Sequence, residues 1–218
     1  MTQPPKKRRW LKWAERILLL LLLVVGIALV FSSQLEGYWI QWQSHQKVTN
    51  ISQQEVKRGE TKNANYNYQN VQAVSENAVL ESEKARKTDA IGSIQIPDLD
   101  INLPIFKGLN SENLTIGAGT MKPGQKLGEG NYALAGHHMQ NPKILFSPLA
   151  KAKKGQIVTI KAGKQTARYR ITKIKVVPET DVSVINDVPG KKLLTLVTCA
   201  SGNPGETRRL IVTGELIK

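Results

Sequence analysis

The chain has 218 residues, with 31 Lys and Arg against 17 Asp and Glu for a formal net charge of +14, three histidines and a single cysteine. That length holds one domain with a proper core plus extensions, and a lone cysteine excludes a disulfide-stapled scaffold. The positive charge raises nucleic acid as a partner, but the densest basic group beyond the N-terminus, Lys151, Lys153, Lys154, Lys161, Lys164 and Arg168, contains no aromatic stacking motif; it reads as a solvated face, and no nucleic-acid partner is expected.

Residues 1–16 carry six Lys or Arg against one Glu, and the four tryptophans, Trp10, Trp13, Trp39 and Trp42, flank an unbroken apolar run from Ile17 to Phe31. This is the pattern of a membrane helix between interfacial aromatic belts. The strict run spans roughly 22 Å at about 1.5 Å per residue, short of a ~30 Å hydrocarbon core. Trp13, Ala14, Leu35 and Trp39, with a snorkelling Arg16, make up the difference. A cleavable signal peptide is the rival reading. Val30-Phe31-Ser32 is a poor cleavage site, however, and the second aromatic cluster at Tyr38, Trp39 and Trp42 suits a retained anchor better. The expectation is a cytoplasmic basic tail at 1–16 and a single-pass transmembrane anchor at 17–38, with the remaining chain outside the cell membrane.

Residues 39–90 turn polar and read as an extracellular stalk, its earlier part flexible. In its second half Val71, Val74 and Ala78 recur at helical spacing and Glu83 stands four residues before Lys87, which predicts a short helix. From Ile91 the pattern becomes short β-rich segments separated by Gly, Pro and Asn: Ile91–Pro97, Ile101–Phe106, Asn131–Ala135, Ile157–Lys161, Arg168–Val177, Leu193–Thr198 and Leu210–Ile217. Their alternation predicts a sandwich or barrel over 91–218, an all-β class rather than a βαβ fold. Asn113–Gly119 is ambiguous, and Lys143–Ala150 is a short helix or turn limited by Pro142 and Pro148.

Cys199 ends the strand-like run Lys192–Cys199, before a loop-forming Ala-Ser-Gly-Asn-Pro-Gly stretch. In an exported chain an unpaired thiol is a candidate nucleophile, and a packed core cysteine is the alternative. A thiolate nucleophile needs a proton-handling group and a stabiliser for the oxyanion. His45 lies in the stalk, which leaves the adjacent His137 and His138. Successive side chains on a strand point to opposite faces, so at most one of them meets Cys199. Arg208 and Arg209, which begin the last strand, are candidates for the oxyanion role. Neither a Ser-His-Asp set nor a metal-ligand cluster competes.

Together these segments resemble a class A sortase, the membrane-anchored cysteine transpeptidase of Gram-positive bacteria, over roughly Ile91 to Leu216. The most specific part is Thr195-Leu-Val-Thr-Cys199, which fits the family's Thr-Leu-x-Thr-Cys signature; Asn131-Tyr-Ala-Leu-Ala-Gly-His137, Leu145-Phe-Ser-Pro-Leu149 and Arg209-Leu-Ile-Val-Thr-Gly-Glu-Leu216 support it, with shorter matches at Ile94, Leu103 and Gly117. The resemblance implies a closed eight-stranded sortase-type β-barrel with short helices. It implies that Cys199 attacks the Thr–Gly carbonyl of a Leu-Pro-x-Thr-Gly sorting signal on a surface protein to form an acyl-thioester. His137 would protonate the leaving amine and later deprotonate an incoming amine of a lipid II-type peptidoglycan precursor. Arg209 would hold substrate and oxyanion, with Arg208 as the alternative. Ala135, Val184, Ile185 and Val197 would line the signal-binding groove. No cofactor or metal is implied: the loop Met121–Glu129 offers two lysines and one carboxylate, and Asp187 alone cannot make the calcium site of some relatives. Neither the Asp-Pro-Trp lid nor the second membrane segment of pilus-building relatives is present, so a housekeeping anchoring role is expected. The rival functions are a cysteine hydrolase, a pilin-polymerising sortase and a non-catalytic anchored binding domain.

Overall fold

The computed structural model describes residues 7–67 and 78–217, and it divides into two compact units, Met1–Glu36 and Gly37–Lys218. In the first unit, α1 (Lys7–Val30) carries its charges in its opening turns and exposes the side chains of Leu18 to Leu23 to the surroundings. Among the described residues no helix is long and apolar enough to cross a membrane. α2 (Ser32–Thr49) follows after one residue, and the bonds Phe31 N to Ile27 O and Leu35 N to Phe31 O carry the helical hydrogen bonding through the break.

The second unit begins within α2 and includes α3 (Gln53–Thr61), α4 (Ala78–Lys87), α5 (Ser111–Leu114) and the barrel. The described residues of the polar stretch expected as a stalk therefore carry the rest of α2, α3 and α4, and they belong to the barrel's own unit. α2 buries Ile40, Gln43, Ser44 and Lys47, a helical stripe that is mostly polar. Buried polar groups must be paired. Ser44 Oγ donates to Ile116 O (2.6 Å), Gln43 Nε2 to Glu83 Oε1 (2.6 Å), and Lys47 Nζ meets Glu55 Oε1 at 2.6 Å, which also accepts from Ala90 N. The expected Val71 and Val74 positions lie outside the described residues. Glu83 engages Arg86 at 3.4 Å, three residues on, in place of the anticipated Lys87.

Eight strands follow: β1 (Gly92–Ile96), β2 (Ile101–Phe106), β3 (Ala118–Thr120), β4 (Asn131–Ala135), β5 (Ile157–Ala162), β6 (Gln165–Pro178), β7 (Leu193–Cys199) and β8 (Arg208–Leu216). They close into a barrel in the order β1-β2-β3-β4-β7-β8-β6-β5, with β2–β3 and β4–β7 parallel and the remaining pairs antiparallel. The seven strands read from the sequence are all present. The eighth, β3, comes from the ambiguous Asn113–Gly119 region, which also supplies α5, and the segment near Pro148 is the 3₁₀ turn Ser147–Lys151.

Alternation along β7 and β8 decides what faces where. Leu194, Leu196, Leu210 and Val212 point inward and join Ile94, Ile105, Leu134, Phe146, Ile160 and Tyr169 in the main core. The opposite set on these two strands, Val197, Cys199, Arg209 and Ile211, lies on the outer face. Each fully buried aliphatic side chain of the inner set stabilises the barrel by about 1.5–3 kcal/mol relative to exposure. Lys151, Lys153, Lys154, Lys161, Lys164 and Arg168 are all exposed, as a solvated face requires.

Candidate active site

The outer face at the C-terminal end of β7 gathers the expected residues. Cys199 pairs directly with Arg209 in the β7–β8 register, so both side chains leave the sheet on one side. β4 runs parallel to β7 with Ala135 opposite Val197, and Gly136 N continues that ladder by donating to Val197 O at 3.1 Å. A Cβ on Gly136 would stand 2.7 Å from the Phe146 ring. Position 136 therefore faces the packed interior and only glycine fits there, which leaves His137 on the alternate, outer side with Ala135 and Cys199. Phe146 N donates to His137 O (3.0 Å) and fixes the backbone behind the histidine.

The two histidines have different partners. His138 Nδ1 lies 2.7 Å from the carbonyl oxygen of Cys199; a carbonyl only accepts, so Nδ1 carries the proton. His137 Nε2 is buried without a hydrogen-bond partner, as is Thr198 Oγ1 just before the cysteine. Burial lowers the His137 pKa to about 4. Burial also raises the Cys199 pKa; the Arg209 charge opposes this, and Glu206 and Glu179 reinforce it. The sequence leaves the outcome of that contest open. Desolvation is the largest influence at both groups and favours the neutral thiol and the neutral imidazole.

The two arginines separate as clearly. Arg208 is exposed and ties itself to Glu206 through Nε (3.0 Å) and Nη2 (3.1 Å), which helps hold the Glu206 pKa down at about 2. Arg209 is half-buried, its Nη1 donating to Glu206 O (2.7 Å) and Arg208 O (3.2 Å) and its Nη2 to Glu179 Oε2 (2.6 Å).

Beside the thiol an apolar cluster of Val177, Val197 and Ile211 is covered by Met121, Val184 and Ile185. It unites three of the four expected groove residues, and Ala135 adjoins it as the register partner of Val197. Val177, Ile211 and Met121 were not singled out in the sequence. The covering loop is fastened from below. Asn131 Nδ2 donates to Val184 O (3.2 Å) and Asn186 O (3.1 Å), Asn131 N to Asp187 Oδ1 (2.7 Å), and Lys122 Nζ meets the same carboxylate oxygen at 2.6 Å. Gly130, at φ 50°, brings the backbone to within 2.6 Å of that oxygen measured from an added Cβ, so a larger residue would displace it. Among the described residues no group of His, Cys, Asp and Glu could hold a metal ion.

A model of the sortase domain matches residues 94–217, more than half of the chain and all but the first strand residues of the barrel. The chain belongs to the sortase family. Its class A branch is shown by the relatives. The chain is 40% identical to sortase A of Streptococcus agalactiae serotype III over 225 aligned residues, covering 100% of this chain and 90% of the relative. It is 35% identical to sortase A of Listeria monocytogenes, covering 94% and 92%. The solved structure of Listeria monocytogenes sortase A superposes with a TM-score of 0.57 at 42% identity, over 59% of this chain and 88% of that one. A sortase C-1 from Streptococcus pneumoniae aligns with a TM-score of 0.52 at 28% identity, over 59% and 67%. This sortase is thus an enzyme, a cysteine transpeptidase of cell-wall sorting.

Proposed function

We propose that Cys199, His137 and Arg209 carry out transpeptidation on a Leu-Pro-x-Thr-Gly signal of surface proteins. The observation that carries this reading is the arrangement at one strand end: a thiol in register with an arginine, a histidine with an unpartnered, enclosed Nε2 just beyond the end of the neighbouring parallel strand, and an apolar floor alongside. In the first half-reaction the thiol proton passes to His137 Nε2 as Sγ attacks the Thr carbonyl carbon. Arg209 directs N–H groups at the oxyanion. The intermediate collapses as the C–N bond breaks, and His137 delivers its proton to the departing glycine nitrogen. An imidazolium whose pKa lies near 4 is a strong acid toward an amine leaving group. The second half mirrors the first. An amine of a lipid II-type peptidoglycan precursor attacks the thioester, His137 removes the amine proton, and the thiolate leaves and is reprotonated. Ala135, Val184, Ile185 and Val197, with Ile211 and Val177, hold the Leu-Pro end of the signal.

Membrane anchoring belongs to the same reading. The apolar run ends at Phe31, the hydrogen bonding that continues through Phe31 into α2 carries the helix on to Leu35, and exposed Tyr38, Trp39 and Trp42 follow it. The basic N-terminal tail sets the orientation, cytoplasmic N-terminus and catalytic barrel outside.

The test is a mass spectrum of the full-length chain in detergent after exposure to a Leu-Pro-x-Thr-Gly peptide, with and without triglycine. The expected result is an acyl adduct on Cys199 that disappears as the triglycine product forms; turnover by Cys199→Ala would refute the mechanism. Release of free acid at the same rate with and without triglycine would assign a hydrolase instead.

A further inference from the structure

Arg209 does not stand free beside Cys199. Glu179 follows β6 directly, where the β6–β8 ladder pairs Val177 with Arg209 and Pro178 with Arg208. The ladder extends one step further, since Glu179 N donates to Thr207 O at 2.8 Å. This backbone tie places the Glu179 carboxylate at the guanidinium, and Oε2 accepts from Arg209 Nη2 at 2.6 Å. We propose that Glu179 is a positioning residue that fixes the Arg209 guanidinium at the Cys199 end of β7, on the reading that Arg209 is the arginine of the reaction.

Donor arithmetic supports this. A guanidinium has five N–H groups in a rigid fork. Both Nη1 hydrogens are committed to the carbonyls of Glu206 and Arg208, and one Nη2 hydrogen to Glu179. Nε–H and the second Nη2–H remain for substrate, and their direction is set by the three bonds already made. Without Glu179 the fork is held along one edge only, by two carbonyls on a single nitrogen, and can swing about that nitrogen. The contact is short and charge-assisted, yet Glu179 is 44% exposed and Arg209 28% exposed. An ion pair so open to solvent adds little to fold stability, so its role is geometric.

Glu179 also faces the thiol electrostatically. The charged groups around Cys199 are Arg209 from β8, Glu206 from the segment before it and Glu179 from the end of β6, while His137 and His138 come from the strand end beyond β4. Arg208 is neutralised by Glu206. Removing the Glu179 charge leaves Arg209 less opposed and makes the thiol easier to ionise.

The experiment compares Glu179→Ala and Glu179→Gln with the parent, as full-length chain in detergent, by turnover of a Leu-Pro-x-Thr-Gly peptide with triglycine and by the pH profile of iodoacetamide alkylation. Because the chain has one cysteine, alkylation reports Cys199 alone. Glu179→Ala lowers kcat about tenfold with little change in KM, the mark of an interaction made in the transition state. Glu179→Gln keeps an acceptor for Nη2 and restores kcat to within about threefold. In both variants the alkylation profile moves to lower pH by about half a unit, a roughly threefold faster reaction on its rising limb. A loss that glutamine does not restore, no loss at all, or an unmoved alkylation profile in both variants overturns the proposal. Arg209→Ala is run in parallel. If it keeps parental turnover, the assignment of Arg209 itself has failed; if it is inactive while both Glu179 variants behave as the parent, only the positioning role has.

Discussion

Cys199 and Arg209 are direct partners across the β7–β8 ladder, whereas Arg208, one residue earlier, lies on the alternate side of β8 and is bound to Glu206. The doubled arginine that leaves the register ambiguous in the sequence is thus resolved by the pleat: only one of the two shares a face with the thiol. Arg209→Ala is expected to reduce kcat/KM by about 100-fold or more, in line with loss of an oxyanion donor. Arg208→Ala should stay within a few fold. Arg209→Lys should recover little, because a point charge does not reproduce the fork that engages Glu179 and substrate together. Steady-state kinetics on the three variants checks this; comparable losses at Arg208 and Arg209 would refute the assignment.

His137 predicts a signed pH dependence of stability. Its pKa is lowered from 6.5 to about 4 by burial. Between those values the unfolded chain binds a proton that the folded chain does not, so stability rises with pH through this window and falls as pH drops from 6.5 toward 4. The loss amounts to at most about 3 kcal/mol. Urea unfolding at pH 7 and pH 4.5 measures it. His137→Gln should flatten the difference by a large part of that amount, and an equal pH slope in parent and variant would contradict the burial of the ring as a neutral base. The same values bound the activity profile. kcat/KM should be level from about pH 5 up to the raised ionisation of Cys199, with the two limbs belonging to the coupled pair and not to either residue alone.

Seven of the eight strands were legible because their apolar and polar residues alternate between turn signals. β3 was not, since Ala118-Gly119-Thr120 has hardly any side chain with which to declare a period. The helical packing of residues 37–67 was hidden for a related reason. The buried face of α2 is written with Gln43, Ser44 and Lys47, residues that signal solvent unless the partners Glu83, Ile116 O and Glu55 are known, and the first two of those lie 40 and 72 residues along the chain. Within the site, Cys199 and the histidine pair stood out through rarity and motif. Val177 and Ile211 lay inside expected strands, but alternation tells which residues share a face and not which face a covering loop will close over. Glu179 was invisible because it reaches Arg209 through the register of β6 with β8, a pairing of residues 30 positions apart.

The loop that covers the apolar floor should be held without calcium. Asp187 Oδ1 accepts from Lys122 and from Asn131 N, which links the segment after β3 to the segment before β7 and sets an ammonium against the carboxylate. Turnover is therefore expected to be unchanged by a chelator. Asp187→Asn loses the charge on which both bonds converge; it should raise KM for the sorting peptide roughly three- to tenfold and leave the melting temperature nearly unchanged, because Asp187 is largely exposed. Kinetics with and without chelator, together with a melting curve, separate these effects. Calcium stimulation of the parent would show that the ammonium does not substitute for a metal.

The adjacent histidines should differ in which property they control. His137 holds a buried, unpartnered Nε2, while His138 spends Nδ1 on the Cys199 carbonyl at 2.7 Å and so acts on the backbone that carries the nucleophile. His137→Ala removes the group proposed to handle the proton and should lower kcat/KM by about 100-fold or more. His138→Ala leaves that group in place and frees one carbonyl, for which a loss of about 3- to 10-fold is expected, of the order of one neutral hydrogen bond. His138→Gln, whose amide N–H can donate to the same oxygen, should recover part of it. Acyl-adduct formation on Cys199, followed by mass spectrometry over time, distinguishes the two: slow but complete acylation for His138→Ala, and almost none for His137→Ala. If His138→Ala were the more damaging change, the proton-handling role would belong to the second histidine.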